Sequence, residues 1–73
     1  MQPENIKRMI ELGLPGARVS VTGDGRHFEA VVVAQEFAGK GMVQRHQIVY
    51  RTLGAKLGNE IHALSLRTLT PDE

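Results

Sequence analysis

The sequence predicts a single small α+β domain over residues 1–73, in the order α-β-β-α-α-β, with a three-stranded mixed sheet and helices on one face. Three observations predict it. Ala17-Arg18-Val19-Ser20-Val21-Thr22 alternates apolar and polar residues, the pattern of a strand with one wet face. Val31-Val32-Val33 loses that alternation, as a central strand buried on both sides does. Between that run and a last strand opening near Ile61, residues Met42, His46, Val49, Tyr50, Leu53 and Leu57 fall within roughly 100° of one another on a helical projection.

The elements follow in order. Pro3 suits the first turn of a helix, where its missing N–H costs nothing, and Ile6, Met9, Ile10 and Gly13 continue at helical spacing until Leu14-Pro15-Gly16 ends the run. The alternating strand Ala17–Thr22 comes next. Gly23-Asp24-Gly25-Arg26 reads as a hairpin loop, because Gly and Asp tolerate the backbone angles of tight reversals. The chain returns as a strand from His27 to Ala34. Gln35–Ala38 has room for one helical turn, and Gly39-Lys40-Gly41 breaks it. The main helix runs from Met42 to about Leu57, Gly58-Asn59 stops it, and Ile61–Leu69 forms the last strand. Thr70-Pro71-Asp72-Glu73 reads as a frayed tail. The hairpin makes the first two strands antiparallel, and the helical connection makes the second and third parallel through a right-handed crossover.

Composition narrows the function classes. At 73 residues the chain buries about 60% of its unfolded surface, so the core is thin. Without cysteine there is no disulfide framework and no cysteine zinc site, which fits a reducing compartment. The longest apolar run, Ala30–Ala34, is far too short to span a bilayer, and no charged-then-apolar leader is visible, so a soluble, cytoplasmic protein with no membrane partner is expected. Nine Lys/Arg against eight Asp/Glu give a net charge of +1, which exerts no long-range pull on nucleic acid. With two Phe, one Tyr and no Trp, an aromatic platform for stacking bases is not expected. No serine has a paired base, and Glu29, Glu36 and Glu60 form no constellation, so the chain reads as non-catalytic.

The histidines are the residues with chemistry to offer. His62, alone, reads as a partly buried histidine with the parity of Leu64 and Leu66, and His27, alone, as an ordinary hairpin-end residue. Together they say more, because residues that open two parallel strands sit at the same end of a sheet. Neighbouring strands lie about 4.8 Å apart and imidazole nitrogens sit about 2 Å from a metal, so the pair is placed to share a metal or cluster. Two ligands do not close a tetrahedral site, so the others come from outside the chain. His46 lies inside the apolar stripe and is assigned a structural role. Gly39-Lys40-Gly41 precedes a helix N-terminus, which favours anions, but matches neither the phosphate-loop nor the dinucleotide pattern. Lys40, Arg45, Arg51 and Lys56 read first as a solvated helix face. Ile48 points away from the stripe and is a candidate partner contact.

Phe37-Ala38-Gly39-Lys40, Gln44-Arg45-His46-Gln47-Ile48-Val49-Tyr50, Ile61-His62-Ala63-Leu64-Ser65-Leu66 and Thr68-Leu69-Thr70-Pro71 resemble the BolA family, and the Gly23–Phe28 hairpin is most similar to its IbaG branch. The resemblance spans essentially the whole chain. It implies a fold similar to class II KH domains and a partnership with a monothiol glutaredoxin. In that partnership a bridging [2Fe–2S] cluster is held by the glutaredoxin cysteine, by glutathione, by the histidine of the Ile-His-Ala strand (here His62) and by a residue of the hairpin loop. That loop residue is Cys or His in the family, and His27 is the nearest candidate in a chain without cysteine. No cofactor is implied for the isolated chain, which is expected as a monomer or weak homodimer. The resemblance also carries a rival implication, transcriptional and stress regulation by direct DNA binding. A KH domain uses a Gly-x-x-Gly loop for this; here Gly39-Lys40-Gly41-Met42 departs from the pattern, and Gly39, Lys40, Gly41, Arg45, Arg51 and Lys56 would form the surface.

Overall fold

Three strands and two helices account for the chain in a computed structural model that describes residues 1–73. Helix α1 (Pro3–Gly13) begins with proline in its first turn, as expected, and buries Ile6 and Ile10. Strands β1 (Arg18–Gly23) and β2 (His27–Val33) form the antiparallel hairpin, in a register that sets Arg18 opposite Val33 and Gly23 opposite Phe28. A 3₁₀ turn over Gln35–Phe37 leads into α2 (Met42–Leu53), a second 3₁₀ turn follows over Gly54–Lys56, and β3 (Ala63–Leu69) completes the sheet. The strand order is β1-β2-β3, and β2 pairs with β3 in parallel, so the mixed sheet expected from the sequence is the one observed, with β2 at its centre.

Alternation places the core. Val19, Phe28, Ala30 and Val32 are buried on one sheet face, beneath Ile6 and Ile10 of α1 and Val49 and Leu53 of α2. Phe37 plugs one end of this layer and Ile61 the other. Each such side chain contributes about 1.5–3 kcal/mol through burial, which a domain this small needs in full. The opposite face carries no helix. Val31 and Val33 are therefore half-buried rather than enclosed on both sides, a correction to the reading of the triple-valine run. Their loss of alternation reflects β-branched residues packing beside the neighbouring strands on an open face.

The main helix differs from expectation at both ends. It stops at Leu53, not Leu57, because Gly54 adopts φ 55° and ψ −132°, which breaks the helical path. Met42 was expected in the core-facing stripe but is 71% exposed, beside Val43 at 70%. The buried residues of α2, Val49 and Leu53, lie in its later turns, and Phe37 just before the helix is buried in the core. Ile48, expected on the outside, is partly buried against the core. Its side of the helix, continued by Thr52, faces α1, where a Cβ on Gly13 would collide with the Thr52 side chain. The buried surface of α2 is thus wider than one stripe, since it meets a sheet and a helix.

Candidate functional site

Both hairpin and crossover deliver a histidine to the same end of the sheet. His27 is the first residue of β2 and lies opposite Ala63, the first residue of β3, with His62 one residue before it. One residue step along a strand is about 3.3 Å and one step across a sheet about 4.8 Å, so the two backbones are close neighbours. Both histidines are exposed. For His62 this overturns the expected inward parity with Leu64. Ile61 takes the core position instead and forms an isolated bridge with Leu57, so strict alternation begins only after His62.

Each histidine sits at the rim of a turn held by its own hydrogen bonds. Before His27, Asp24 Oδ1 accepts from the backbone N–H of both Arg26 and His27, each at 2.9 Å, and the Asp24 N–H donates to the His27 carbonyl at 3.3 Å. The N–H groups of His27 and then Arg26 hold the Asp24 carboxyl below its ordinary range. On the other strand, the Lys56 carbonyl accepts from the N–H groups of Asn59, Glu60 and Ile61, at 3.1, 3.0 and 3.0 Å. The Gly58 N–H donates to Ile61 O at 2.7 Å, closing the turn that precedes His62. The Lys56 ammonium donates to Glu60 Oε1 at 2.7 Å, and this bond is the main reason the Glu60 carboxyl is lowered. Nowhere do three or more His, Cys, Asp or Glu gather as a metal site. The two exposed imidazoles therefore have no third ligand from their own chain.

The basic residues are not gathered in the same way. Between Lys40 and Lys56 lies the whole of α2, 12 residues and about 18 Å at 1.5 Å per residue. The α2 N-terminus, with Gly39, Lys40 and Gly41, lies at the end of the sheet opposite the histidines, where β2 and β3 finish. Arg45 is largely enclosed there, with its side chain 14% exposed. Its Nε donates to Lys40 O at 2.8 Å, Nη1 donates to Thr68 O at 3.4 Å and to Glu73 Oε1 at 2.8 Å, and the guanidinium stands 6.0 Å from the Phe37 ring centroid. Lys40 Nζ donates to Glu36 O at 2.8 Å. The Gly41 N–H donates to Gln44 Oε1 at 3.2 Å, which satisfies one of the amides at the helix start. Arg51 is exposed in the last turn of α2. The reading of Arg45 as part of a solvated face is therefore corrected, because it bonds three segments of its own chain.

The frayed tail is corrected by the same contact. The Thr70 N–H donates to Glu73 Oε1 at 2.7 Å and the Glu73 N–H to Thr70 O at 3.0 Å, a turn that docks the tail on Arg45. His46 has the structural place assigned to it, half-buried, edge-on to Tyr50 with ring centroids 6.1 Å apart. Sequence reasoning missed Asp24, taken only as a residue tolerant of turns. An aspartate two residues before a loop amide is itself the signature of a side chain that closes the loop.

Residues 13–73 match the family described as BolA-like protein. The chain is 49% identical to a BolA homologue of Coxiella burnetii of known structure, with a TM-score of 0.89 over 99% of this chain and 94% of that one. It is 35% identical over 74 residues to the acid stress protein IbaG of Escherichia coli, a match covering 100% of this chain and 88% of that protein. It is 39% identical over 72 residues to the DNA-binding transcriptional regulator BolA of Vibrio cholerae, covering 99% of this chain but 65% of that protein's length. These relatives are named for regulation and stress, not for catalysis. The family match spans most of the chain and the fold is that of a solved homologue: the chain belongs to the BolA family.

Proposed function

We propose that the chain is a non-catalytic adaptor that pairs with a monothiol glutaredoxin and shares a bridging [2Fe–2S] cluster with it, in iron–sulfur trafficking or in iron, redox and stress regulation. The observation that carries the reading is the placement of His27 and His62, both exposed, at the same end of adjacent parallel strands. A glutaredoxin cysteine and the thiolate of glutathione are the external ligands such a half-site needs. Neutral imidazoles in place of thiolates lower the negative charge on a cluster and raise its potential, as in Rieske centres. The chain's own part is to hold two imidazoles on anchored turns and to leave the facing side open.

Anaerobic reconstitution of this chain with a monothiol glutaredoxin and glutathione tests the proposal through visible absorption and circular dichroism. A one-to-one complex whose spectrum differs from that of the glutaredoxin homodimer is expected, and His62→Ala is expected to abolish or alter that spectrum while far-UV dichroism stays unchanged. An unaltered homodimer spectrum on mixing would remove the reading.

Direct nucleic-acid binding is the second reading, favoured by the name of the Vibrio cholerae relative. Three of its four basic candidates already have partners within the chain: Arg45 with Glu73, Lys56 with Glu60, and Lys40 with the Glu36 carbonyl. The net charge of +1 adds no general attraction. Salt-dependent DNA binding that weakens in Lys40→Ala with Arg45→Ala would bring this reading forward.

A further inference from the structure

We infer that Asp24 is a positioning residue for His27, and that its carboxylate oxygen, rather than its charge, fixes where that imidazole is presented. The inference rests on the cluster reading above and extends it to a residue that holds no metal itself. An imidazole that ligates a metal is normally oriented by a hydrogen bond from its other ring nitrogen. The His27 ring makes no such bond; the contacts that tie this residue to the loop involve its backbone, and both are to Asp24. The His27 N–H donates to Asp24 Oδ1 at 2.9 Å, and its carbonyl accepts from the Asp24 N–H at 3.3 Å. The same Oδ1 takes the Arg26 N–H at 2.9 Å, so one oxygen closes the whole loop. Gly25 between them adopts φ 98°, which lets the chain reverse within so few residues. At the loop end of the hairpin pairing, a Cβ on Gly23 would lie 2.5 Å from Phe28 Cδ1 and 2.6 Å from His27 O, so the close approach of the strands beside His27 requires glycine. The site is thus aimed from its backbone: a rigid loop, with the side chain free at its end.

Two measurements test this, one on the free chain and one on the mixed complex. In the free chain, Asp24→Ala is expected to accelerate amide hydrogen exchange at Arg26 and His27 roughly tenfold, the effect of losing one hydrogen bond. Asp24→Asn keeps the carbonyl oxygen and is expected to stay close to wild type. In the complex with a monothiol glutaredoxin and glutathione, Asp24→Ala is expected to move the visible dichroism in the direction that His27→Ala moves it, and Asp24→Asn to restore it. Unchanged exchange in Asp24→Ala, or an Asn variant that behaves like the Ala variant, would overturn the role given to the oxygen. Wild-type dichroism in Asp24→Ala beside an altered His27→Ala spectrum would overturn the positioning role and leave the cluster reading standing. Altered dichroism in His62→Ala alone would overturn it as well, since His27 would then be no ligand. If neither histidine variant changes the spectrum, the cluster reading falls and the inference with it.

Discussion

Helical spacing puts Arg45 among the charges of a wet helix face, yet it bridges three segments of the chain, and single residues are least legible in such places. Spacing along a helix tells which side a residue is on, but not that the chain's last turn will fold back to meet it. The Glu73–Arg45 contact joins residues 28 apart in sequence, and no local pattern signals it. Its consequence is electrostatic. Glu73 is lowered chiefly by the Arg45 hydrogen bond and then by the Thr70 N–H, Glu60 chiefly by Lys56, and Asp24 by the His27 N–H. A carboxyl with a lowered folded value binds its proton less tightly when folded than when unfolded. Its contribution to stability is therefore fully present above the ordinary carboxylate value of about 4, and is lost as pH falls through the lowered folded value. Thermal unfolding followed from pH 7 to pH 3 should accordingly show stability falling from about pH 5 downward, with Glu73→Gln less stable at pH 7 and shallower in its acid limb. Added salt should weaken the difference, because all three carboxylates face solvent.

Among the elements, those with strong periodicity are legible in the sequence. Alternation located β1, the hairpin loop and the valine run located β2, and the helical stripe located α2. The boundaries moved where a glycine's conformation or the end of the sheet, rather than hydrophobic spacing, decided them. Gly54, not Gly58, ends α2. The close approach of the helices at Gly13 was not visible either, since Gly13 and Thr52 carry no apolar signature. Gly13 ends α1 where a Cβ would meet Thr52 Cγ2 and lie 2.8 Å from Thr52 Cβ. Thr52 has little freedom to yield, because its Oγ1 donates to the Val49 carbonyl at 2.6 Å. Helix propensity alone favours alanine over glycine by about 1 kcal/mol. Overpacking a fixed contact costs about 1–3 kcal/mol, so the clash should win. We predict that Gly13→Ala destabilises the fold by a net amount of about 1 kcal/mol, read as a lower urea midpoint, and that adding Thr52→Ser, which removes the methyl and keeps the hydroxyl, recovers part of the loss. A Gly13→Ala protein more stable than wild type would show that propensity outweighs the packing of α1 on α2.

Across the whole molecule the sheet separates two ends with different character. One end gathers His27, His62 and the two anchored turns that carry them; the other gathers the α2 N-terminus, Arg45, the docked tail and the exposed pair Met42 and Val43. That separation was legible in outline, because a strand–helix–strand unit with a parallel pair puts the openings of both strands together whatever the details. Not legible was the outward turn of His62, which follows from Ile61 taking the core position, a choice made by packing at the sheet's rim. Solvent exposure of both imidazoles is what the proposed shared cluster requires, and it is tested most directly by counting the histidine nitrogens on the metal. The chain labelled with ¹⁵N-histidine would be reconstituted with unlabelled monothiol glutaredoxin and glutathione, reduced, and measured by electron–nuclear double resonance. Two ¹⁵N couplings of directly bound imidazoles are predicted, one lost in His62→Ala and the other in His27→Ala; a reduced cluster with no ¹⁵N coupling would contradict the account.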